Sequence, residues 1–128
     1  MSTIKVNDIQ EATSGGGKIF PARAWVNFNG TGTVSIRSDG NVSSITDNDV
    51  GNYTTNLSNS LSSNNFCCNF SATDDGSGAY QTNGYAYGSW ARGSTNVVYS
   101  TSSIRVGMGY PANTTLYDQS HVNISVVL

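Results

Sequence analysis

Charge is what this chain has least of. Asp, Glu, Lys and Arg make up only 11% of its 128 residues, 6 basic groups stand against 8 acidic ones, and the net charge is −2. The basic side chains Lys5, Lys18, Arg23, Arg37, Arg92 and Arg105 are scattered, so no patch gathers to neutralise phosphates and no nucleic-acid partner is expected. Long apolar runs are missing too. No window approaches the run of about 18 apolar residues that marks a membrane-spanning helix, so no membrane partner is expected either. The N-terminus MSTIKVNDIQ lacks a basic segment followed by an apolar core, which predicts a chain made and kept in a cytoplasm.

Acid–base and nucleophilic chemistry is equally scarce. His121 is the single histidine and Glu11 the single glutamate, in different parts of the chain, with no Gly-x-Ser-x-Gly turn or second histidine beside His121 to build a hydrolytic site. Asp47 with Asp49, and Asp74 with Asp75, fall where turns are expected, and short carboxylates there supply turn and capping hydrogen bonds. A Ca²⁺ ion in one of these loops is chemically conceivable, but their spacing departs from that of an EF-hand. Gly30-Thr31-Gly32 lies between two strand patterns with no Lys-Ser/Thr pair after it, so it reads as a hairpin loop and not as a phosphate cradle. No enzyme, metal or cofactor is expected. Cys67 and Cys68 are adjacent, and neighbouring side chains of a strand point to opposite faces. They read as free thiols, Cys68 in the core and Cys67 on the other face.

What the chain has in abundance is small and neutral. Gly, Ser, Thr and Asn account for 61 residues, so uncharged polar groups must cover the surface, and weak repulsion favours association. Seven Asn-X-Ser/Thr sequons occur; without a secretion signal they carry no glycosylation meaning.

From Ala22 onward apolar residues recur with period two. Val34 and Ile36 alternate with Ser35 and Arg37; Tyr53, Thr55 and Leu57 with Asn52, Thr54 and Asn56; Phe66, Cys68 and Phe70 with Cys67, Asn69 and Ser71. The same holds for Ile104, Val106, Met108 and Tyr110, and for Val122, Ile124, Val126 and Leu128. Asn29-Gly30-Thr31-Gly32 separates the first two strands, Asp39-Gly40 reads as a two-residue hairpin turn, and residues 47–51 end the third strand. The expected fold is all-β: an antiparallel β-sandwich of about eight strands over residues 21–128, with Trp25 anchoring its core. Residues 1–20 form a short extended arm in which Ile4, Val6 and Ile9 precede the flexible Ser14-Gly15-Gly16-Gly17. Two readings compete, a frayed tail and an arm that docks on a neighbouring subunit or larger assembly, and the apolar residues with the downstream hinge favour docking.

Between Asp74 and Gly93 glycines interrupt the rhythm, while Tyr80, Tyr85, Tyr87 and Trp90, with Arg92 nearby, supply flat apolar faces with polar edges. Such a set suits saccharide stacking or protein contact, and equally the filling of a core or subunit interface.

The words Ala24-Trp25-Val26-Asn27-Phe28-Asn29-Gly30-Thr31-Gly32-Thr33-Val34 and Asn41-Val42-Ser43-Ser44-Ile45-Thr46-Asp47-Asn48, echoed at Gly51-Asn52-Tyr53-Thr54, resemble a module of bacteriophage tail fibres and other virion surface proteins, especially of phages of aquatic bacteria. The resemblance implies a virion structural protein made in a bacterial host's cytoplasm and located on the particle. It further implies a homotrimer in contact with other capsid or tail proteins, with a host surface glycan as a possible ligand. A stand-alone carbohydrate-binding module is the alternative. The resemblance identifies no catalytic residue.

Overall fold

The structure is a computed structural model that describes residues 2–3, 20–73, 86–87, 99–108 and 116–128, with the backbone alone at 86–87. Every regular element among them is a strand: β1 (Ala24–Asn29), β2 (Ser35–Gly40), β3 (Val42–Asp49), β4 (Asn52–Leu57), β5 (Cys67–Thr73), the two-residue β6 (Ala86–Tyr87), β7 (Ser103–Met108) and β8 (His121–Val127). They form two antiparallel sheets. The first has the order β2-β1-β8-β5; the second has β3-β4-β7, with β6 added at the β7 edge.

Period-two patterning decides which side of each strand faces inward. Ala24, Val26 and Phe28 of β1, Val122, Ile124 and Val126 of β8 and Ala72 of β5 join Tyr53 of β4 and Ile104, Val106 and Met108 of β7 in one buried cluster. The sheets therefore meet through their apolar faces in a sandwich-like arrangement. Phe28 meets Tyr53 across the interface edge-on, with ring centroids 5.2 Å apart and planes at 77°, a geometry worth about 0.5–1.5 kcal/mol beyond area burial. Leu61, in the connection between β4 and β5, closes the core at one end, held there by its N–H on the Thr101 carbonyl at 2.7 Å. Cys68 packs against the cluster and Cys67 is exposed, both as free thiols, as alternation requires.

Three expectations need correction. Trp25 does not anchor the core: it is 42% exposed, because it lies one residue out of phase with Ala24, Val26 and Phe28. Asp39-Gly40 is not a hairpin turn. Both residues belong to β2 and pair with Val26 and Trp25, and the chain then crosses to the second sheet through Asn41, which takes a left-handed φ of 60°. Asn tolerates that conformation better than most residues, and its side chain fastens the crossing by donating to the Arg23 and Asn59 carbonyls and accepting from the Asn59 N–H. Residues 47–49 continue β3, and the β3–β4 turn is Val50-Gly51. Gly51 has φ +62°, and a Cβ there would lie 2.5 Å from the Met108 carbonyl oxygen, so only glycine fits.

Candidate functional site

Two rows of outward residues of the first sheet run across β1, β8 and β5, and further pairs such as Thr73 with His121 lie beyond them on β5 and β8. Register places Trp25 beside Ser125 and Ser125 beside Asn69; one step along, Asn27 lies beside Asn123 and Asn123 beside Ser71. None of these side chains is charged. The Asn27 amide donates to Asn123 Oδ1 at 2.7 Å, and the Asn123 amide donates to Ser71 Oγ at 3.4 Å, giving a chain of polar contacts over three strands. Each amide carries two N–H donors and a carbonyl with two lone pairs, so these two bonds leave donors and acceptors uncommitted among the described residues. Above the rows lies a shallow groove of about 400 Å³, lined by Trp25, Asn27, Asn69, Ser71, Asn123 and Ser125 together with the strand positions between them.

Trp25 is placed by its neighbour on β2. The indole lies over Gly40, so closely that a Cβ at Gly40 would collide with Trp25 Nε1. A side chain at 40 would lift the ring off the sheet; glycine lets it lie down along one border of the groove.

The chemistry behind the groove is structural. Tyr53 is fully buried, and its hydroxyl lies 2.8 Å from Asp118 Oδ1 and 2.9 Å from the Gly30 carbonyl, with one proton to donate between them. Asp118 also accepts the Gly51 N–H at 2.7 Å, so one carboxylate ties the β3–β4 turn to the segment entering β8. Burial first, and then Asp118, pushes the Tyr53 hydroxyl far above the ordinary tyrosine range. It is held neutral and cannot serve as a base. Burial likewise raises the Cys68 thiol to about 11, with Cys67 adding to the shift, which leaves Cys68 a poor nucleophile near neutrality. His121 begins β8, exposed, with Nδ1 3.2 Å from Ser120 Oγ. Asp49 accepts the N–H of Val50, a turn role. Among the described residues no group of three His, Cys, Asp or Glu side chains is placed to hold a metal, and no helix is long and apolar enough to cross a membrane.

No protein-family model matches the chain, and it has no match among curated proteins or solved structures. Of the aromatic set expected to bind, Tyr80, Tyr85, Trp90 and Arg92 lie outside the described residues, and Tyr87 is described only through its backbone, paired with Gly107. The arm residues Ile4, Val6 and Ile9 lie outside them as well. The groove residues were missed by sequence reasoning. Their signal was present in the alternation, since Trp25 and Asn27, like Asn69 and Ser71, or Asn123 and Ser125, hold the outward phase of strands whose other phase is apolar.

Proposed function

We propose that this chain is a bacteriophage virion surface protein: a short fibre, knob or decoration subunit of capsid or tail that works by binding and not by catalysis. In this reading it is an eight-stranded antiparallel β-sandwich that attaches to the particle through residues 1–20, with Ile4, Val6 and Ile9 docking on other virion proteins. The observation that carries the reading is the outer covering. Both sheets present neutral Asn, Ser and Thr side chains outward, joined across strands by hydrogen bonds such as Asn27 to Asn123 on the first and Asn56 to Ser44 on the second. Such a surface has little charge to keep copies apart or to blunt hydrogen-bonding edges such as β2 and β5. Assembly into a homotrimer, with arms or strands covering those edges, resolves both.

Co-purification tests it. The full chain should sediment with purified particles and elute as a trimer by light scattering, and deletion of residues 1–20 should abolish particle association without unfolding the body. A full-length chain absent from particles would refute the proposal. The Trp25 groove favours a second reading, a stand-alone carbohydrate-binding module, which predicts a monomer that binds glycans and ignores particles.

A further inference from the structure

We infer that the groove on the outer face of the first sheet is a binding site for a neutral saccharide, with Trp25 stacking on a sugar ring and Asn27, Asn123 and Ser71 bonding its hydroxyls. The inference deepens the proposed function and rests on it for the biological role of the contact, though the chemistry of the groove stands by itself. Three features select the ligand class. First, a large indole that borders the groove remains 42% exposed and is seated over Gly40 on β2. That gives a flat apolar plate with a polar N–H edge, of the kind that suits the C–H face of a pyranose. Second, the outward side chains beside it, Asn27, Asn69, Ser71, Asn123 and Ser125, are amides and hydroxyls that both donate and accept, set on a largely carbon surface. Sugar hydroxyls do the same, whereas an aliphatic ligand would leave such groups unpaired, at a cost. Third, no Lys, Arg, His, Asp or Glu lines the groove. An acidic sugar or a phosphorylated ligand finds no cation there, so electrical complementarity favours an uncharged ligand.

The size agrees. About 400 Å³ lies within the range of about 300–1,000 Å³ usual for small-ligand sites. Asn123 has the central place, bonded on one side to β1 and on the other to β5, so its amide is held in position before a ligand arrives, which lowers the ordering cost of binding. The outer face of the second sheet does not offer the same surface. There Asn56 spends both of its N–H donors on Ser44 and Thr46, and Arg105 introduces a charge and holds Asn52.

The test uses the purified full chain without particles, so that its outcome is independent of virion attachment. ¹⁵N-labelled protein is titrated with lactose, cellobiose, a chitin oligosaccharide, a neutral mannose oligosaccharide and, for comparison, sialyllactose. A neutral saccharide should shift the amide signals of residues 25, 27, 69, 71, 123 and 125. Trp25→Ala should weaken that binding by about tenfold or more, the scale of a lost ring-stacking contact. Asn123→Asp, which replaces donors by acceptors, should also weaken it, while Asn48→Ala on the second sheet should leave it unchanged. Thermal melting of each variant confirms the fold. Failure of every neutral saccharide to move those signals at millimolar concentration, preference for sialyllactose, or undiminished binding by a folded Trp25→Ala variant would overturn the inference. A chain that binds no sugar yet co-purifies with particles would sink the saccharide site alone; one that binds sugar and ignores particles would sink the virion role alone.

Discussion

The two outer faces are built from the same few residue types, yet they use them differently. On the second sheet the polar side chains are turned on one another: Asn56 reaches Ser44 and Thr46, Asn48 reaches Thr54, and Arg105 holds Asn52. On the first sheet, among the described residues, only a sparse chain links Asn27, Asn123 and Ser71, and a half-exposed indole lies beside it. Composition alone therefore does not distinguish a surface that stabilises itself from one left free to bind. The distinction lies in how many donors and acceptors each residue has already committed.

The largest effect separates what lies beneath these faces from what lies on them. Phe28, fully buried against Tyr53, should lose about 3–5 kcal/mol on replacement by alanine, read as a fall in the urea midpoint. Trp25, three residues earlier on the same strand but facing out, should lose less than about 1 kcal/mol. Equal losses would place Trp25 in the core after all.

The faces themselves should differ by less. Asn56→Ala breaks two side-chain bonds and should destabilise by about 1 kcal/mol, whereas Asn123→Ala should stay within about 0.5 kcal/mol. The same unfolding measurement ranks them, and a reversed order would show that the first face is the self-stabilising one. Beneath the second face, Thr55 Oγ1 is buried without a hydrogen-bond partner among the described residues. Thr55→Val should therefore stabilise by up to about 1 kcal/mol, since it removes an unsatisfied hydroxyl; destabilisation would mean that the hydroxyl has a partner.

Alkali should act on the two sheets in sequence. Cys68 in the first sheet is raised to about 11 and Tyr53 in the second is raised further, each chiefly by burial. Both are neutral acids whose folded values exceed their unfolded values of about 8.5 and 10. Their contribution is thus fully present below the unfolded value and is lost as pH rises past it. Stability should begin to fall above about pH 8.5, and more steeply above about 10. Cys68→Ala should remove the first part of the fall. A thiol reagent at neutral pH should label exposed Cys67 well before Cys68, and equal rates would contradict the burial of Cys68.

Much of the fold was legible because alternation is a local signal. The inward residues of β4, β7 and β8 follow from it directly, as do the opposite environments of Cys67 and Cys68. Trp25 was misread because aromatic size was allowed to outweigh phase: Ala24, Val26 and Phe28 had already claimed the inward side. Asp39-Gly40 was misread because a good turn dipeptide also pairs well at the end of a strand, and the left-handed residue proved to be Asn41, the next along. Contacts between distant segments left no mark in the sequence. Nothing near Tyr53 announces Asp118, 65 positions away, and the groove exists only once β5 has paired with β8 beside β1.

Electron microscopy of particles bearing this chain tests the central claim most directly, namely that one face is presented outward for binding while the rest of the molecule serves attachment and assembly. The account predicts density for the domain on the particle surface, three copies about an axis, with the β2-β1-β8-β5 face and Trp25 open to solvent. Particles lacking that density, or a domain seated with Trp25 buried against its neighbours, would contradict it.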